Sequence, residues 1–219
     1  MSKSHLVVME NRDVTIEVVV TGDHPSVLLL PSAQRSVADF AGLSDSLWEA
    51  GFGTVAANMR GVGRSTGLRE GVMLRDIADD VADVANEVVG GPVHIVGHAL
   101  GNVFARATAA YRPETVASVS LLACGGHDLH QVQLPTEMLE HFERCCRVEL
   151  PDAQRLESLQ AVFFAPGNDP AQWLTGWWPS GDLRQVFDGT DPAEWATAGE
   201  ADVLVLQPME DTIDRKSVV

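Results

Sequence analysis

Gly97 and Gly101 stand two residues on either side of Ala99, in the run Val93-His94-Ile95-Val96-Gly97-His98-Ala99-Leu100-Gly101-Asn102. A strand-like tetrapeptide, apolar but for His94, leads in, and Val103 to Ala109 lead out with good helix formers and no breaker. A strand that turns sharply into a helix displays the side chain at its turn, and small flanking residues let strand and helix approach closely. The N–H that follows the turn is then free to donate to a bound carbonyl oxygen. A hydroxyl at position 99 would be an acyl-transfer nucleophile. Alanine has none, so nucleophilic catalysis of the usual kind is lost.

The elements that must position this turn read as alternating strands and helices, the signature of a mostly parallel sheet with helices on both faces. Strands are predicted at Val14–Val20, Val27–Leu30, Gly53–Ala57, Val93–Val96, Ala117–Leu122 and Val203–Leu206. Helical spacing is found from Val37 to Ala50, through Phe40, Leu43 and Leu47, and from Leu74 to Val88, through Ile77, Val81, Val84 and Val88. Asp76, Asp79, Asp80 and Asp83 take the other faces of the second helix and read as its solvated surface. From His127 to about Glu200 the pattern changes. Four of the five tryptophans lie there (Trp173, Trp177, Trp178 and Trp195), between repeated Pro and Gly, as expected for a helical lid inserted between two sheet strands. These rings suit an apolar ligand, and equally the small core that a subdomain needs for itself. The expected organisation is an N-terminal core over 1–126, a lid over 127–200 and a final core strand with its turn over 201–219.

Composition bounds the rest. The chain has 219 residues, 45% of them hydrophobic, enough for one domain with a substantial core. Thirty-one acidic against 15 basic residues give a formal charge of −16, which disfavours nucleic acid and anionic membranes. The start of the chain lacks a secretory pattern, and no apolar run approaches the ~20 residues of a membrane helix. Three cysteines, two of them the neighbours Cys145 and Cys146, argue against a disulfide framework. No Cys/His cluster offers a metal site, and no cofactor is expected. A cytoplasmic, reducing setting is the expectation.

The Gly97-His98-Ala99-Leu100-Gly101 turn resembles the nucleophile elbow of α/β-hydrolases in its Gly-His-Ser-x-Gly form. Three further motifs fall into the family's order. Leu29-Leu30-Pro31-Ser32-Ala33-Gln34 is similar to the oxyanion loop. Asn58-Met59-Arg60-Gly61-Val62-Gly63-Arg64-Ser65 resembles Asp-x-Arg-Gly-x-Gly-x-Ser, with Asn58 in place of the acid. Val203-Leu204-Val205-Leu206-Gln207-Pro208-Met209-Glu210-Asp211 is similar to the strand and turn that deliver the triad acid. The resemblance implies a three-layer α/β-hydrolase sheet with a helical lid. It implies Ala99 at the nucleophile position, Asp211 as triad acid (Glu210 less so), and Leu100 and Ala33 as oxyanion donors. His98, Gln34, Trp173, Trp177 and Trp178 would border the pocket.

The family's catalytic histidine follows the acid by a few dozen residues, and no histidine here stands in that place. His94 reads as a sheet residue, while His127 and His130 could face the pocket. The family's last strand and helix are also missing, so the chain reads as truncated. Val203–Leu206 would then be an apolar edge prone to dimerisation. The alanine reads as a natural variant, an engineered change, a sequence error or the sign of a substitute nucleophile such as Cys124. The functional expectation is kinship with hydrolases of esters, lactones or similar small apolar carbonyl compounds, without activity as written. A non-catalytic binding protein and a cofactor-free proton-transfer enzyme are the alternatives.

Overall fold

The computed structural model describes residues 4–11, 13–124, 135–181, 183–187 and 189–210. Seven strands form one sheet: β1 (Ser4–Asn11), β2 (Val14–Thr21), β3 (Pro25–Leu30), β4 (Gly53–Ala57), β5 (Val93–His98), β6 (Val116–Leu122) and β7 (Val203–Leu206). Their spatial order is β1-β2-β4-β3-β5-β6-β7. β1 with β2 and β2 with β4 run antiparallel, and every other pair is parallel. The sheet is thus mostly parallel, as expected. β4 is buried at every position and β3 over its last four, because both lie mid-sheet with their faces covered. β2 alternates buried and half-buried residues, as one core-facing side requires.

β1 has no counterpart among the predicted strands. Among its described side chains Leu6 and Val8 are exposed and Met9 alone is buried, so an edge hairpin partner leaves little hydrophobic pattern in the sequence.

Helix α1 (Ala41–Glu49) lies against one face, over a small core of Val27, Leu29, Phe40 and Ala56. Helices α2 (Leu74–Val84) and α3 (Leu100–Tyr111) cover the other, where Leu28, Leu30, Ile95, Val119 and Leu121 meet Ile77, Val81 and Phe104. Both predicted helices begin or end differently from the expectation. A 3-10 turn, Val37–Phe40, precedes α1, and a wider π turn, Ala85–Val89, ends α2 at the left-handed Gly90.

The acidic side of α2 is not the solvated surface that the sequence suggests. Asp80 is 2% exposed and paired with Arg60, at 2.6 Å from Oδ2 to Nε and 2.9 Å from Oδ1 to the second nitrogen. Asp79 pairs with Arg112, and the Asp76 carboxylate caps the helix by accepting from the Met73 N–H at 2.8 Å. Helical periodicity assigns a face but says nothing about a cation delivered from another loop.

Among the described residues β7 forms one edge of the sheet, paired with β6 alone, and its four residues are 43–54% exposed. Between β6 and β7 the described chain carries α4 (Thr136–Cys146), α5 (Asp152–Val162) and several short 3-10 turns. Cys145, Leu159 and Trp177 form the centre of this insertion, with Phe163, Phe164 and Trp173 packed around them. Burial pushes the Cys145 thiol up to about 12, which keeps it protonated and inert. Among the described residues no helix is long and apolar enough to cross a membrane.

Candidate functional site

Ala99 stands between β5 and α3 at φ 49°, ψ −110°, a backbone conformation that costs an L-residue roughly 1–3 kcal/mol. Its N–H donates to the Leu122 carbonyl at 3.1 Å, and its own carbonyl accepts from the Asn102 N–H at 3.0 Å. The turn is thereby pinned from both β6 and α3. The two glycines are required by contact rather than by torsion. A Cβ on Gly97 would strike the Gly101 carbonyl, and one on Gly101 would strike the Leu30 carbonyl. Leu100 opens α3, so its N–H has no acceptor within the helix.

Ala99→Gly should therefore stabilise the fold. Relief of the torsion outweighs the extra freedom of glycine in the unfolded chain, leaving a gain of about 1 kcal/mol. Denaturant unfolding reads this directly, and an unchanged or lower midpoint would mean that the turn is unstrained.

The loop after β3 begins beside the elbow, because Leu30 is in register with Gly97 and Gly101 packs on the carbonyls of Leu30 and Pro31. A tight turn from Ser32 to Arg35 follows, closed at 3.1 Å, with half-buried Ala33 and Gln34 at its centre. Gln34 adopts φ 57°, and its carbonyl accepts from the Trp178 N–H at 2.8 Å. The Gln34 side-chain oxygen is buried without a hydrogen bond, an acceptor left open beside the elbow.

Arg35 is the residue of this loop that sequence reasoning missed. It is 2% exposed and grips Asp39 through two nitrogens, at 2.8 and 2.5 Å. It also donates to the Thr175 carbonyl at 2.7 Å. Its guanidinium lies 4.6 Å from the Trp173 ring centre and 4.7 Å from that of Trp177. One cation thus ties the loop to the insertion. The spacing of Arg35 and Asp39, four apart, and of Trp173 and Trp177, four apart, was visible in the sequence. Their meeting across 138 residues was not.

The Asn58–Ser65 loop is a second closure. The Ser65 hydroxyl donates to the Asn58 carbonyl at 2.8 Å and accepts from the Glu17 N–H at 2.9 Å. Asn58 fills both roles of an amide. Its oxygen accepts from the Val37 N–H at 2.9 Å, and its nitrogen donates to the Glu17 carboxylate at 2.7 Å. An aspartate could do only the first. Glu17 therefore gives the departure from the acidic motif a local cause. Gly63 follows from the same pair, since a Cβ there would overlap the Glu17 carboxylate.

Asn58→Asp should cost about 2–4 kcal/mol at neutral pH by setting two carboxylates together in a part-buried site. The sign with pH is definite. The native pair would retain a proton that the unfolded chain releases, so the deficit against the parent is smallest below about pH 4 and grows as pH rises. Paired melts across that range read it; a deficit independent of pH would contradict the cause.

Of the other expected site residues, His98 is half-buried with its ring 6.2 Å from that of Trp173, edge to face. Trp173 stacks among Phe163, Phe164 and Trp177, and buried Trp177 donates to the Trp173 carbonyl at 2.6 Å. These two rings serve the insertion's own core and the Arg35 sandwich. Trp178 is 38% exposed, and Trp195 is buried in the main core with Arg106 5.3 Å from its ring centre. Cys124 is half-buried just after β6. Burial holds the Arg106 guanidinium below its ordinary range, against the opposing field of Cys124. His94 sits on the sheet face with Nδ1 2.8 Å from the Ser118 hydroxyl. Glu210 is exposed, whereas Asp211, His127 and His130 lie outside the described residues. Among the described residues no acidic, His or Cys cluster could hold a metal ion.

The described elbow therefore presents a methyl group at the turn between β5 and α3, beside the loop that follows β3. Comparison with known proteins agrees on the framework. The family model for the α/β hydrolase fold matches residues 25–144. The chain is 35% identical over 193 residues to the protein named "Putative carbamate hydrolase RutD" of Variovorax paradoxus, a match covering 85% of this chain. It spans 65% of that relative's length. A hydrolase from Pseudomonas aeruginosa PA01 superposes with a TM-score of 0.71 at 16% identity, covering 95% of this chain and 82% of the other. The thioesterase domain from the curacin biosynthetic pathway gives 0.70 at 15%, covering 97% and 86%. The chain belongs to the α/β hydrolase fold family.

Proposed function

We propose that this chain binds a small ester-, lactone- or carbamate-type carbonyl compound above Ala99 and does not turn it over through an acyl-enzyme. The reading is carried by one observation: position 99 keeps the strained φ 49°, ψ −110° of an elbow while carrying only a methyl group. The hydrogen bonds from β6 and α3 hold the strained turn in place, and the Leu100 N–H remains available to the carbonyl oxygen of a ligand. The amide of Ala33 is the second donor, and the insertion acts as a lid, joined to that loop by Arg35 and Trp178. Carbamates enter because the Variovorax relative carries that name, and a carbamate presents the same kind of carbonyl.

The test is titration of the isotopically labelled chain with a stable carbamate and with its carbonyl-free amine, followed by amide NMR. Binding in the proposed pose moves the Leu100 and Ala33 amide resonances with the carbamate alone. Saturable shifts confined to other regions, or equal shifts with both compounds, would overturn the reading.

A further inference from the structure

Val203, Leu204, Val205 and Leu206 make up the whole of β7, and each is about half exposed. No charge, proline or bulge interrupts the strand, the features that ordinarily keep a sheet edge from pairing. The carbonyls of Asp202 and Leu206 point inward, accepting from the N–H groups of Val119 and Ala123 at 2.9 and 3.0 Å. A parallel ladder bonds through alternate residues, so Leu204 turns inward with them. Val203 and Val205 therefore direct their N–H and C=O groups away from the sheet.

Two outward valines with one leucine between them are complementary to themselves. An antiparallel copy, turned about a two-fold axis through Leu204 and perpendicular to the sheet, sets Val203 opposite the partner's Val205. Val205 then faces the partner's Val203, and every outward N–H and C=O of these valines finds an opposite number. A slip of one residue would set outward groups against inward ones. Val203 and Val205 share the sheet side of Val119 and Leu121, so the valines of both copies meet on that side. Leu204 meets the partner's Leu204 on the other. Charge selects the same direction. Asp202 lies opposite the partner's Leu206, and the two Asp202 residues stand four steps apart, about 13 Å, beyond the screening length of ~8 Å at physiological salt. An in-register parallel pair would instead put Asp202 against the partner's Asp202.

We propose that β7 is a self-recognition edge, through which two copies of this chain pair antiparallel with Leu204 on the two-fold axis. The sheets of the two copies then run on as one. Four half-exposed residues per copy bury well under the ~1,200 Å² of a stable interface, so the dimer is weak and reversible. Each copy carries a formal charge of −16, and the repulsion between copies opposes the pairing. Salt therefore tightens the dimer, the reverse of an interface held by ion pairs. Pairing about a two-fold axis also closes at two copies, whereas β7 laid on the partner's β1 edge would be head to tail and open-ended.

Sedimentation velocity of the full chain across a concentration series tests this. A monomer–dimer equilibrium is expected with a Kd on the order of 100 µM, tightening about threefold between roughly 0.05 and 0.5 M salt. Val203→Lys and Val205→Lys should each weaken the dimer about tenfold or more. Both reduce the net charge, so greater repulsion between copies cannot explain the loss, and a melt like the parent's excludes a folding fault. Register is read by cross-linking under mild oxidation. Leu204→Cys should give a disulfide-linked dimer, because its two copies face each other about 4.5 Å apart at Cα, within disulfide reach. Leu206→Cys, opposite the partner's Asp202, should not. The parent chain, with its own three cysteines, is the control. A strict monomer over the whole series, or assembly beyond the dimer, would overturn the proposal. So would parental affinity in both lysine variants, or Leu206→Cys cross-linking as readily as Leu204→Cys.

Discussion

Gly101→Ala is expected to destabilise the protein by about 3 kcal/mol or more, the larger end of what overpacking does. The added methyl meets backbone, not side chain: the Leu30 carbonyl carbon and oxygen and the Pro31 oxygen all lie within 2.9 Å of the new carbon. None of these can rotate away. α3 must retreat from β3, and with it the Leu100 amide. Gly42→Ala is the matched control. Gly42 also lies in a helix, α1, but nothing stands within 4 Å of a Cβ there, so the change should stabilise by about 0.5–1 kcal/mol through helix propensity. Chemical denaturation of the two variants reads the contrast. A Gly101→Ala protein as stable as its parent would show that strand and helix are not in contact at the elbow.

Arg60→Ala should cost about 3–5 kcal/mol. Arg60 and Asp80 have side chains 5% and 2% exposed, and the guanidinium also donates to the Gly67 carbonyl at 3.1 Å. Removing the cation leaves the buried Asp80 carboxylate without its Arg60 guanidinium, and that loss of compensation accounts for most of the cost. The pair itself contributes far less, since its attraction largely offsets the cost of desolvating both ions. The double change Arg60→Met with Asp80→Leu should accordingly recover most of the stability lost in Arg60→Ala. A double variant as unstable as the single one would instead mean that the bridge is a net source of stability.

Much of the framework was legible because it depends on local pattern. Gly53–Ala57 and Val203–Leu206 are read from the sequence with the bounds that the structure gives, since β-branched and apolar runs between breakers mark strands whether their faces are covered, as in β4, or exposed, as in β7. The elbow was legible because its glycines sit at fixed steps from Ala99. The features that escaped are long-range pairings. Asp80 looks like any other helix-surface acid until Arg60 reaches it from the loop after β4. Arg35 looks like an ordinary loop cation until the insertion brings Trp173, Thr175 and Trp177 around it. β1 escaped for a different reason. As an edge strand it buries little, so it carries almost none of the periodicity by which strands are found.

Covalent labelling tests most directly the proposal that this elbow offers no nucleophile. The full chain is incubated with a fluorophosphonate, and its intact mass and peptide map are then measured. The parent chain is expected to keep an unmodified mass, because Ala99 offers no oxygen to phosphonylate. A stoichiometric adduct on the parent would contradict it, and its position in the peptide map would name the nucleophile that has replaced the missing hydroxyl.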